Sequence, residues 1–243
     1  ALYGNYMLIV MGVQTLMTAM FNSMNAGIGN LVAEGDKRKI MSVFAELFSI
    51  RFLFSCIMCF GVLMITPAFV SFWIGKKYVM DSLSLLLMTA ILFVNLSRTT
   101  VDAYINAYGL FGDIWAPIVE ASLNVGLSII LGYYFGLHGV LSGVLISLLL
   151  VVFCWKPYYL FRKGLDERLS IYIFMYARHL MAALLCGVIV CLGMRYSMVQ
   201  GDTTFFDGLL GILVFSILST LTLLCVAPGM RNLMRRFIRM CHV

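Results

Sequence analysis

Charge is what this sequence lacks most. Only 12% of its 243 residues are Asp, Glu, Lys or Arg, where a soluble domain carries about a quarter. Hydrophobic residues make up 62% and the mean hydropathy is +0.99. That balance excludes a water-soluble enzyme or binding domain and implies a polytopic, all-α membrane protein. Histidine is scarce too, with three in the chain. His138 sits at an outer turn and His179 near an inner end, and neither is expected to have a Ser, Cys or carboxylate beside it in a catalytic arrangement. Seven cysteines are present, but they make no framework. Cys56, Cys59, Cys154, Cys186, Cys191 and Cys225 fall in apolar runs, Cys241 is in the tail, and the Cys56–Cys59 CxxC has no second pair. They read as small apolar residues, with no disulfide, metal, cofactor or catalytic group expected. The formal charge of +6 comes from basic residues at the ends of apolar runs. That is a membrane-protein pattern, and no nucleic-acid partner is expected. No low-complexity stretch or soluble domain is present. The chain opens on Ala1 without a charged leader or cleavage motif, so it reads as the C-terminal fragment of a longer protein.

What is there is a run of seven apolar segments, at about 3–25, 40–66, 82–107, 116–135, 139–160, 174–197 and 206–227. Each approaches the ~20 residues that a bilayer core needs. The expected breaks are Gly27 to Gly29 with Glu34 to Lys39, Pro67 to Asp81, Gly109 to Asp113, Gly136 to Gly139, Arg162 to Arg168, and Gln200 to Asp202. Lys37, Arg38 and Lys39 share one side with Lys156, Arg162, Lys163, Arg168, Arg231, Arg235, Arg236 and Arg239. The other side has Lys76, Lys77 and Arg195. The positive-inside rule then places the first group and the C-terminus in the cytoplasm. Trp73, Trp115 and Trp155 fall near span ends, where aromatic belts sit. Residues 228–243 place Met230, Leu233, Met234, Phe237, Ile238 and Cys241 at helical spacing with arginines between them. This predicts a basic amphipathic helix on the inner leaflet, read first as a topology anchor, with membrane lipid as its partner.

The polar residues inside the spans fall into stripes. Asn95, Arg98, Asp102 and Asn106 follow i, i+3, i+7, i+11 spacing and share a helix face. The first span carries Gln14, Thr18, Asn22 and Asn25 on one face, and the fourth carries Glu120, Asn124 and Ser128 after Pro117. Three polar faces can line one hydrated cavity, or they can be packing glue between helices. Arg98 offers a permanent planar cation to a phosphate or carboxylate. Asp102 either neutralises it, orients it or titrates. Arg51 is a second mid-span cation, about 140° around its helix from Glu46, and is either another anion contact or paired with a neighbour. Glu46 and Glu120 read as side chains that snorkel to the inner interface. Gly132, Gly136, Gly139 and Gly143 bracket a turn at four-residue spacing, which favours close helix packing.

Three stretches together resemble a known family. They are Asn25-Ala-Gly-Ile-Gly-Asn-Leu-Val-Ala-Glu-Gly35 before a basic loop, Phe72-Trp-Ile-Gly-Lys-Lys-Tyr78, and Tyr104 to Gly143 with its Tyr-Gly turn, Pro117, Glu120, Asn124, Ser128 and Gly-Leu-His-Gly-Val. The family is the flippases of lipid-linked oligosaccharides for O-antigen and capsule. It belongs to the superfamily that includes multidrug extruders and lipid II flippases. The resemblance covers about residues 1–175, and the last two spans match mainly by hydropathy. It implies two facing lobes of twelve to fourteen helices, with this chain as the C-terminal lobe in a bacterial inner membrane. Residues 1–160 would supply five lobe helices and 161–227 two additional ones. The missing N-terminal lobe and an undecaprenyl-diphosphate-linked oligosaccharide would be the partners. Arg98, Asp102, Asn95, Asn22, Arg51 and Asn124 would contact substrate, and Asp102 and Glu120 would couple transport to an ion. A drug or metabolite antiporter of the same superfamily is the near alternative. A membrane-embedded polysaccharide-synthesis enzyme and a structural subunit are the distant ones.

Overall fold

The computed structural model describes residues 2–112, 114–198 and 205–241. Among them there are nine α-helices and no strand: α1 (Leu2–Glu34), α2 (Lys37–Trp73), α3 (Ser82–Ser97), α4 (Thr99–Ala107), α5 (Trp115–Leu148), α6 (Lys156–Leu160), α7 (Leu169–Met198), α8 (Phe205–Val226) and α9 (Pro228–Cys241). Six helical stretches are long and apolar enough to cross a membrane, and the longest, Trp115–Leu165, has 51 residues. Straight, it would reach about 76 Å, far beyond a ~30 Å hydrocarbon core. It is instead folded at Gly136 (φ 59°, ψ −135°), so it makes two crossings. The protein is an all-α, multi-pass membrane protein with about seven spans. The turn expected at Gln200 to Asp202 lies outside the described residues, as do Ala1, Asp113 and the side chains of Arg195 and Cys241.

Two expected breaks are helical. α1 continues through Gly27 and Gly29 and stops only at Gly35, whose φ of 75° an L side chain resists. α2 continues through Pro67 to Trp73. In a membrane helix neighbouring groups satisfy the one backbone bond that proline removes, so proline does not end it. Asp36 caps α2 by accepting from the Arg38 and Lys39 amides at 3.0 and 3.2 Å, and its location, not the composition of the apolar run, sets where α2 begins.

The fold at Gly136 makes an antiparallel hairpin whose arms touch through glycine. A Cβ on Gly139 would lie 1.9 Å from the Leu131 carbonyl oxygen, and one on Gly143 2.7 Å from the Ser128 amide nitrogen. No side chain fits at either position. Lipid gives helices no hydrophobic reason to associate, so such close backbone approach is what holds the arms.

Packing elsewhere is aromatic. Phe44, Phe48 and Phe52 repeat at i, i+4, i+8 on α2 and are buried with Tyr104, Phe161, Tyr172 and Tyr176. Edge-on contacts at 5.0 Å (Phe44–Tyr104), 5.5 Å (Phe44–Phe161) and 5.3 Å (Phe52–Tyr176) have the favoured geometry of paired ring quadrupoles. A second cluster joins Tyr6, Val10 and Met17 of α1 to Leu85, Met88, Leu92 and Leu96 of α3. Polar contacts tie each end of the bundle. Lys37–Asp166 at 3.0 Å and Glu46–Arg236 at 3.3 Å gather the basic segments at one end. The Met80 amide donates to Tyr6 Oη at 2.9 Å and His138 meets Asp81 at 2.7 Å at the other.

Candidate functional site

The third span is interrupted where its polar stripe lies. The hydroxyls of Ser97 and Thr99 donate back to the carbonyls of Val94 (3.2 Å) and Leu96 (2.8 Å), and such back-bonding bends helices. Arg98 sits at the junction of α3 and α4 with ψ −19°. The break separates the stripe into two groups with different surroundings.

The first group surrounds Arg51. This side chain is 2% exposed. Its Nη1 donates to the Thr99 carbonyl at 2.9 Å, and its Nη2 to Asn25 Oδ1 at 3.1 Å and the Phe21 carbonyl at 3.4 Å. The guanidinium lies 5.3 Å from the Phe21 ring centre, a cation–π contact that is stronger away from water. Asn25 in turn donates to Asn22 Oδ1 at 3.3 Å. Among the described residues no carboxylate lies within 4 Å of Arg51, and its Nε is buried without a partner. Neutral acceptors hold the charge in place without cancelling it. Beside it is a cavity of about 190 Å³ lined by Thr18, Asn22 and Asn25 of α1, Arg51 of α2, and Asp102 and Asn106 of α4, with apolar neighbours. This volume is below the about 300–1,000 Å³ of pockets that enclose a drug-sized ligand. It fits one charged or hydroxylated group.

The second group surrounds Arg98, which is 30% exposed and does not line that cavity. Its Nε is 3.3 Å from Asp102 Oδ2, and its Nη1 3.9 Å from Glu120 Oε1. Asp102 Oδ1 accepts from Lys156 Nζ at 2.8 Å. The result is a line of alternating charge, Glu120–Arg98–Asp102–Lys156, that is neutral as a whole. Asp102 belongs to both groups. It is the one carboxylate on the cavity wall, and two cations hold it.

Several expectations change. Lys156, counted from the sequence only among the cations of the inner side, is 18% exposed and turned onto Asp102. It begins α6 between two π-helical stretches, Leu149–Trp155 and Phe161–Leu165. A π turn takes more residues than an α turn, so a 3.6-residue wheel misplaces every side chain beyond it. Glu46 does not snorkel. It is 3% exposed, accepts from Ser42 Oγ at 3.1 Å and pairs with Arg236 of α9. Glu120 is likewise turned toward Arg98. Asn95 donates to its own helix at the Ile91 carbonyl, 3.1 Å away. Asn124 accepts from Ser128 Oγ at 3.3 Å within the hairpin arm. Neither lines the cavity.

His138 and His179, the two histidines among the described residues, do have partners. His179 is fully buried between the Met175 carbonyl (2.7 Å) and Ser49 Oγ (2.9 Å). Phe48 and Phe52 pack edge-on to its ring. A serine–histidine pair with no solvent access joins α2 to α7 and has no room for a substrate. At the opposite end His138 contacts the N-cap residue of α3, and the bonds from His138 and the Ser84 amide hold Asp81 well below the usual carboxylate range.

No family model, no curated protein and no solved structure matches this chain.

Proposed function

We propose that this chain is the C-terminal lobe of a bacterial inner-membrane exporter that flips an undecaprenyl-diphosphate-linked oligosaccharide by alternating access. The observation that carries the reading is the cavity wall itself. It pairs a buried, uncancelled guanidinium with a set of amides and two hydroxyls, those of Thr18 and Thr99, at mid-span, from three helices. Amides and hydroxyls suit sugar hydroxyls, and Arg51 suits a diphosphate or an acidic sugar. The wall is partial, as expected of one lobe facing another. An apolar groove of about 520 Å³ between α2, α3 and α7, lined by Leu63, Phe93, Leu184 and Val188 among others, is available to a lipid chain. In this reading the C-terminus is cytoplasmic, Arg98 and Lys156 position Asp102, and Asp102 and Glu120 are the candidates for ion coupling.

The sequence resemblance and the sign of the cavity charge both favour this over a drug antiporter, since an uncancelled arginine disfavours a cationic drug. Deleting the complete gene tests the choice. Loss of surface saccharide, with lipid-linked saccharide retained on the cytoplasmic leaflet, is expected. Normal surface saccharide with heightened drug sensitivity would replace the flippase with the antiporter.

A further inference from the structure

A second cluster of unmatched positive charge lies at the end of the bundle where α9 packs. α9 contains Arg231, Arg235, Arg236 and Arg239 and no acidic residue. Its body is fixed to the bundle. A Cβ on Gly229 would lie 2.3 Å from the Ala45 carbonyl oxygen, Ala227 and Met230 are buried with Leu53, Ala182 and Leu223, and Arg236 is taken by the buried Glu46 at 3.3 Å. The other three arginines are exposed, and among the described residues none is in an ion pair. Met234, Phe237 and Ile238 are exposed beside them, at 41, 62 and 49%.

The neighbouring span repeats the pattern. Arg178 of α7 is partly buried, its Nε is enclosed without a hydrogen-bond partner, and its guanidinium lies 5.9 Å from the Phe174 ring centre. One turn on, Ala182 packs in the same cluster as Met230, the residue before Arg231, so both arginines come to this end of the bundle. Two cations gathered there, neither in an ion pair among the described residues, repel. An anion between them removes the repulsion and supplies an acceptor. The surroundings limit which anion. α9 follows the α8 span after a single residue, Ala227, so the cluster sits where the spans leave the bilayer. The exposed apolar side chains of α9 need hydrocarbon, and the arginines need phosphate.

We propose that Arg178 and Arg231 bind the phosphate of an anionic membrane phospholipid, with Arg235 and Arg239 as flanking headgroup contacts. α9 is then a lipid-reading element and more than a topology anchor. A zwitterionic lipid brings its own ammonium into a patch already positive, so anionic lipid is preferred. Through Gly229 and Arg236 the bound lipid also braces α2, the helix that carries Arg51. The proposal does not depend on the transported substrate.

The test is thermal unfolding of the delipidated full chain in detergent with added phosphatidylglycerol, phosphatidylcholine or inorganic phosphate. Phosphatidylglycerol is expected to protect at concentrations where the other two do not. The R178Q/R231Q variant should need about twenty-five-fold more of it, at about fivefold for each arginine beside an anionic leaflet. R231Q alone, on an exposed turn, should need about fivefold more and serves if the double variant does not fold. Equal protection by phosphatidylcholine, equal protection by inorganic phosphate, or an unchanged requirement in R231Q would each overturn the proposal.

Discussion

Arg51 and Arg98 are the same residue type at similar depth, yet the protein treats them differently. Arg98 is partly exposed and its charge is matched by Asp102 and Glu120. Arg51 is 2% exposed and is held by two carbonyls, an amide and a ring. Burying an arginine without a counter-ion is unfavourable, and matching it with a carboxylate or replacing it by an apolar side chain is commonly neutral or better for stability. A protein that retains the unmatched charge retains it for something other than folding. The difference divides the polar stripes into a compensated network and an uncompensated cation on the cavity wall, the group proposed above to meet the substrate.

The network breaks most severely at its distant support. Gly139→Val forces a side chain into the Leu131 carbonyl, separates the hairpin arms and moves Glu120 from Arg98. A loss of about 1–3 kcal/mol is expected, read by thermal unfolding in detergent. The Arg51 cavity, whose polar groups come from α1, α2 and α4, should keep its shape. A smaller effect sharpens the role of Asp102. A double-mutant cycle of Asp102→Asn and Lys156→Gln should give a coupling of about 1 kcal/mol, as for contacting, partly buried charges. No coupling would remove Lys156 from the network. The smallest effect comes from Asp81→Asn, which touches neither arginine. Because the folded Asp81 carboxyl titrates below its unfolded value of about 3.9, its bond to His138 contributes fully above that pH. The contribution is lost as pH falls toward the lower folded value. Acid unfolding of wild type should therefore show an increment that the variant lacks.

Much of this was legible in the sequence. Helical periodicity placed Thr18, Asn22, Asn25, Asp102 and Asn106 on shared faces, and those are the residues on the cavity wall. The number of spans and the glycine hairpin could also be read, because spacing and local chemistry decide them. Three things could not. Gly27, Gly29 and Pro67 look like punctuation, but the bilayer removes water as a competing partner and the helices continue. Lys156 comes after a π-helical stretch, where the residue count per turn changes; a lysine before proline inside an apolar run was the available signal. Glu46 and Arg236 are separated by most of the chain, and no periodicity links them. The break at Arg98, which separates the two arginines, comes from Ser97 and Thr99. Hydroxyls at those spacings were the signal for it.

The most direct measurement compares export by Arg51→Met and Arg98→Met in the complete gene, at matched membrane levels. Methionine keeps the stem volume of either side chain and removes the charge. Arg51→Met is expected to insert and fold as well as wild type while export falls to background. Arg98→Met should reduce export about tenfold, the loss of one charge-assisted contact, through a displaced Asp102. Export by Arg51→Met at the wild-type rate would contradict the assignment of the uncompensated cation to the substrate.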